Sequence, residues 1–180
     1  MRTYSLLLAI VVTLLSTPQP AFAGTQPVAM FPATGPVVPG NRATLRGNIA
    51  AAPASAPMEV KRAIWAANAL RTKPYRYGGG HRSFHDKAYD CSGTVSYVLG
   101  AAGLLQTPIP SSGFKKFGQR GNGKWITIYA RNGHTFAVIA GLRLDTTALN
   151  TMRRDRTWAP RWQATPRTPR GFEVRHPPGF

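Results

Sequence analysis

The chain has 180 residues and a formal charge of +17 at neutral pH, with six carboxylates set against 23 Lys and Arg side chains. That length allows a leader and one compact domain, and a single cysteine excludes an internal disulfide framework. Charge of this sign and size points to an anionic partner or surface, such as cell-wall polymer, outer-leaflet phosphate or nucleic acid.

Met1-Arg2 precede an apolar run from Leu6 to Leu15, followed by Pro18, Pro20 and Ala21-Phe22-Ala23. A positive start, a short apolar core and an Ala-x-Ala exit make residues 1–23 a secretory signal peptide, with cleavage expected before Gly24. The run is shorter than the ~20 residues of a membrane span, so no transmembrane segment is expected after cleavage. The mature chain is expected to be secreted or periplasmic. Residues 24–57 carry Pro27, Pro32, Pro36, Pro39, Pro53 and Pro57 with no apolar period. They read as a linker or a loosely wrapped arm that adds little to a core. Residues 58–180 are left as one compact domain, ending in a basic extension.

Met58 to Thr72 has Val60, Ile64, Ala67 and Leu70 at helical spacing, with Pro57 at its start and Pro74 beyond its end. An open turn follows, Pro74-Tyr75-Arg76-Tyr77-Gly78-Gly79-Gly80. A second helix is predicted from Cys91 to about Ala102, with Val95, Val98, Leu99 and Ala102 on one face and Gly103 as its stop. Pro108 to Gly113 reads as loop. Trp125 to Arg131 and His134 to Ala140 are strands joined by Asn132-Gly133, the strongest short hairpin signal. Leu142 to Thr147 is a third strand, and Phe172-Glu173-Val174 an edge strand. The fold class is therefore α+β, with the Cys91 helix packed on an antiparallel sheet.

Cys91, the lone cysteine of an exported chain, is either buried or reactive. At the first turn of a helix the free backbone N–H groups and the dipole favour a thiolate. A nucleophilic thiolate needs an acid–base partner, which histidine supplies near neutrality. His81, His85, His134 and His176 are available, and His134, opening a strand after a hairpin, is the stiffest platform. An imidazole acting as base wants a polar group on its other nitrogen. Asp145 is the only carboxylate in the following strand. A tight turn centred on Gly141 sets Asp145 across from Val138, so a longer loop or a bulge is expected to bring it to His134.

Pro74-Tyr75-Arg76-Tyr77-Gly78-Gly79, Asp90-Cys91-Ser92-Gly93, Pro110-Ser111-Ser112 and Gly133-His134 occur in the order and spacing of a known family. Over residues 74–147 the chain resembles the NlpC/P60 cell-wall cysteine peptidases, which are papain-like in core architecture. It departs from their pattern in lacking a Pro-Gly-Asp segment before the histidine strand. The resemblance implies Cys91 as nucleophile, His134 as base and Asp145 in the place of the third polar residue. It places Tyr75 and Ser92 on the substrate and oxyanion side, with the Cys91 N–H helping to hold the oxyanion. It further implies hydrolysis of peptide-stem bonds of peptidoglycan, between D-γ-glutamyl and diamino-acid residues, with peptidoglycan or its fragments as partner and no cofactor or metal.

Two rival readings use the same residues. His81, His85, Asp86, Asp90 and Cys91 crowd together as metal ligands do, but on a loop and without a His-Glu-x-x-His pattern. Alternatively the chain is a catalytically inactive binder of cell wall or another anionic polymer on the same fold, using its cationic tail with Trp158 and Trp162. No specific nucleic-acid motif accompanies that tail.

Overall fold

A computed structural model describes residues 31–147, 161–164 and 166–180. The signal peptide, the first part of the proposed linker and Trp158 lie outside the described residues. The architecture is mixed α and β, built as a small sheet, helices and a larger sheet around one core. The strands are β1 (Val37–Val38), β2 (Thr44–Arg46), β3 (Ile49–Pro53), β4 (Gln119–Arg120), β5 (Ile126–Arg131), β6 (His134–Ile139), β7 (Leu142–Asp145), β8 (Arg161–Gln163) and β9 (Glu173–His176). The helices are α1 (Met58–Ala69), α2 (Cys91–Ala101) and a short α3 (Ser111–Phe114), with a 3-10 turn over Leu70–Thr72.

α1 starts on Pro57, whose φ of −55° suits a helix entry, and Glu59 lies in the first turn where the dipole favours a carboxylate. Its buried face carries Val60, Ala63, Ile64 and Trp65, and continues into Asn68. Asn68 joins three parts of the fold. Its amide pairs with the backbone of Ala50 in β3 through Oδ1 (2.9 Å) and Nδ2 (2.8 Å). The same Oδ1 also accepts from the Trp162 indole at 3.0 Å.

Residues 31–57 are therefore not a loose arm. β1, β3 and β2 form a sheet in that order, β3 packs on α1, and Ala50, Ala52 and Ala56 are buried. The Trp65 indole donates to the Pro36 carbonyl at 3.1 Å, and the Ala43 N–H to the Ala140 carbonyl at 2.9 Å. Alanine explains why the strand pattern is faint in the sequence: it packs as a core residue yet scores weakly as a strand former.

The larger sheet runs β4-β9-β5-β6-β7-β8. β9 is thus an interior strand between β4 and β5, not an edge, because the short β4 covers its outer side. Pro108 to Gly113 likewise differs from a plain loop, since α3 begins at Ser111. The β5–β6 hairpin closes on the pair Arg131 and His134 around Asn132-Gly133, as the sequence indicates. By register Ile126, Ile128, Ala130, Thr135, Ala137, Ile139, Leu142 and Leu144 share one face, and all are buried in or beside the core. The opposite face carries Tyr129, His134, Phe136, Arg143 and Asp145.

α2 is buried on nearly every side, so no polar stripe marks it. At its start Gly93 lies flat against the glycine turn. A Cβ at Gly93 would collide with the Gly79 carbonyl oxygen and crowd the Gly80 Cα, both backbone atoms that cannot swing aside. Gly93→Ala is expected to destabilise the domain by about 3 kcal/mol or more, seen as a melting temperature lower by roughly 10 °C in circular dichroism. An unchanged melt would show that the turn is not seated on α2.

Candidate active site

Asp90 caps α2. Its Oδ1 accepts from the Gly93 N–H at 2.8 Å, and its Oδ2 from the Gly78 N–H at 2.9 Å, tying the helix start to the glycine turn. Cys91 is consequently the first helical residue, a free thiol that is 8% exposed. It opens onto a cleft of about 260 Å³. Tyr75, Tyr77, His81, Pro110 to Ser112 and the Asn132-Gly133 turn line it. The thiol is not walled in by aliphatic side chains.

The Cys91 thiol lies close enough to His134 to act on the imidazole electrostatically. The Nε2 of His134 lies 3.1 Å from Asp145 Oδ1. A carboxylate only accepts, so Nε2 carries the proton, and Nδ1 is the ring nitrogen left for the sulfur. Burial of the ring disfavours its charged form, but the hydrogen bond to Asp145 and the proximity of Cys91, together with their charges, outweigh this and raise the pKa to about 9. Asp145 has no exposed side-chain surface. Burial pushes its carboxyl up, yet hydrogen bonds from His134, the Thr147 N–H and Arg167 hold it below the usual carboxylate range.

The juxtaposition of His134 and Asp145 needs no bulge. β6 and β7 join through the two-residue turn Ala140-Gly141, with φ of 47° and 88°, and the ladder pairs Ile139 with Leu142 and Ala137 with Leu144. These are the left-handed conformations of a type I′ turn. Continued by one residue, that register sets Asp145 opposite Phe136 rather than Val138, which makes it the diagonal neighbour of His134 on one face. Diagonal pairs across a ladder are within reach of long side chains.

Several participants carry no local sequence signal. Arg167 donates to Asp145 Oδ2 at 2.8 Å, lies 3.3 Å from His134 Nε2, and packs its guanidinium over Phe136 and Phe172 at 5.4 Å from each ring centre. Arg143, also buried, stands 3.9 Å from Asp145 Oδ2, and no hydrogen-bond acceptor meets its guanidinium among the described residues. What the sequence does hint at is the need for such cations, since a buried carboxylate requires a counter-charge. Thr147 Oγ1 also lies 3.3 Å from His134 Nε2.

The other histidines have separate settings. His81 Nε2 sits 2.9 Å from Asp90 Oδ2 and 2.9 Å from Ser92 Oγ, on the cleft wall. Ser92 lines the cleft as well, though it is largely buried, with its hydroxyl donating to Asp90 at 3.1 Å. His85 stacks on Phe31, and His176 bonds the Gly121 carbonyl and Gln119. Tyr75 is half-exposed on the cleft wall. Trp162 is buried, bonded to Asn68, and so not free to stack on a polymer.

Chemically, the site sets a thiol at a helix start near an imidazole that a carboxylate orients. The Gly93 N–H is taken by the Asp90 side chain and the Thr94 N–H by its carbonyl. Among the described residues the Cys91 and Ser92 N–H groups remain to receive an oxyanion. No protein-family model matches the chain, and neither a curated protein nor a solved structure does.

Proposed function

We propose that the chain is a secreted cysteine peptidase of the NlpC/P60 type, which hydrolyses peptide-stem amide bonds of bacterial peptidoglycan. The observation that carries this reading is an imidazole held by the buried Asp145 carboxylate within electrostatic reach of the Cys91 thiol, which lines an open cleft. A structural cysteine has no use for such a partner, and a wall-binding protein gains nothing from it.

In this reading the Cys91 thiolate attacks an amide carbonyl carbon, and the developing oxyanion is held at the start of α2. The protonated His134 gives its proton to the departing nitrogen as the C–N bond breaks, leaving a thioester on Cys91. A water then attacks the thioester while His134 takes its proton, releasing a carboxylic acid and restoring the thiolate. Asp145 keeps the ring oriented and the imidazolium stabilised throughout. A leader in residues 1–23 fits a substrate outside the cytoplasm, and the formal charge of +17, or +16 once Arg2 leaves with the leader, favours an anionic wall meshwork.

The test is digestion of purified peptidoglycan, with fragment masses read before and after treating the protein with iodoacetamide. New fragments with a free amine on a diamino acid, absent after alkylation, are the expected result. Intact peptidoglycan with the untreated protein, or digestion that survives complete alkylation of Cys91, overturns the reading.

A further inference from the structure

We propose a second subsite, resting on the peptidase reading above: the cavity beside the β5–β6 hairpin holds a free carboxylate on the leaving amino acid of the substrate. This cavity measures about 500 Å³ and is lined by Lys115, Arg131, Asn132, Phe172 and Glu173 among others. It adjoins the Cys91 cleft, because both its walls continue from there. On one side Ser111 and Ser112 of α3 face the cleft, and Lys115 directly after α3 faces the cavity. On the other side Gly133 faces the cleft, Arg131 the cavity, and Asn132 lines both. The two cavities thus meet at the hairpin turn, on Asn132.

The placement of the second cavity identifies its occupant. A substrate with its carbonyl at Cys91 must present its departing nitrogen to His134, the proton donor. Phe172 lines the cavity and meets the His134 ring edge-on at 6.2 Å, so the cavity and the imidazole share this one aromatic neighbour. Whatever is attached to the departing nitrogen continues into the cavity. The lining then selects by charge. Lys115 Nζ is steadied by Asn132 Oδ1 at 3.1 Å, which leaves two of its three N–H donors for a ligand. The Arg131 guanidinium carbon sits 4.8 Å from the centre of the Phe172 ring, and its N–H groups can make two parallel bonds to a carboxylate. The one opposing carboxylate, Glu173, is 3.7 Å from Arg175 and so is partly balanced already. An amino acid with a free carboxylate fits these groups; an amidated one leaves both cations without an anion.

The experiment compares two synthetic peptides with the same acyl portion, one ending the leaving amino acid in a free carboxylate and the other in a carboxamide. The native protein is expected to favour the carboxylate by roughly tenfold in kcat/KM, mainly through KM, and to lose part of that preference in high salt. In Lys115→Gln/Arg131→Gln the ratio between the two peptides is expected to fall close to one, with a melting temperature near that of the native protein. No preference in the native protein, or a preference that survives in the double variant, overturns the subsite. Cleavage of neither peptide defeats the peptidase reading instead. The subsite is then decided by titrating the Cys91→Ala protein with the two free amines and following backbone amide NMR signals. Shifts at Lys115, Arg131 and Asn132 from the carboxylate alone, lost in the double variant, support it; their absence overturns it.

Discussion

Cys91→Ala is expected to stop the release of stem-peptide fragments, with a fall in rate of at least about 10⁴-fold, while the melting temperature moves by no more than about 5 °C. The large effect follows from the mechanism: without sulfur no thioester forms, and the remaining imidazole has only water to activate. The small effect follows from position. Cys91 is the first residue of α2, capped by Asp90 rather than by itself, and alanine is a good helix former there. Fragment release is measured by chromatography and mass spectrometry, the melt by circular dichroism. Release within tenfold of the native rate rules out Cys91 as nucleophile. A variant that fails to fold transfers the question to His134, whose protonation leaves its own signature. With its pKa raised to about 9, the ring stays an imidazolium at neutral pH and loses its proton as pH rises through that value. kcat/KM of the native protein should therefore decline on the alkaline side near pH 9, not near the 6.5 of a free imidazole.

The two kinds of residue in this site differ in how far a sequence reveals them. Cys91, the glycine turn and the β5–β6 hairpin are local features: a cap, a turn dipeptide and strand composition lie within a few positions of one another. Asp145 was legible as the only carboxylate of its strand, but its partner depended on the turn. A turn centred on Gly141 predicts the wrong register and hence a longer loop or a bulge; the two-residue Ala140-Gly141 connection instead uses an alanine in a left-handed conformation that non-glycine residues adopt rarely. Arg167 and Asn68 act across 22 and 94 positions, on Asp145 and Trp162, where no periodicity or motif connects the partners. The alanine-rich strands of residues 31–57 were illegible for another reason. Their burial comes from docking on α1 and from the Asn68 amide, neither of which appears as an apolar period.

Asp145 and Arg167 are expected to move the alkaline limb in opposite directions. Asp145→Asn keeps a polar group beside His134 but removes the charge that stabilises the imidazolium. The ring pKa then falls from about 9 towards 6.5, and the limb shifts to lower pH by on the order of one unit or more. At neutral pH the proton donor becomes scarce and the tautomer less well fixed, for an expected loss of about 10²- to 10³-fold in kcat/KM. The same change leaves Arg143 and Arg167 facing a neutral amide. Breaking a buried ion pair costs about 3 kcal/mol or more, so this variant should also melt lower by on the order of 10 °C. Arg167→Gln does the reverse at the ring. It removes a cation 3.3 Å from Nε2 and frees Asp145 Oδ2 from a partner at 2.8 Å, so the imidazolium is stabilised and the limb shifts to higher pH. A purely structural role for Arg167 lowers activity at every pH without displacing the profile. Displacement of both variants in the same direction, or of neither, would mean that charge at Asp145 does not govern the His134 proton.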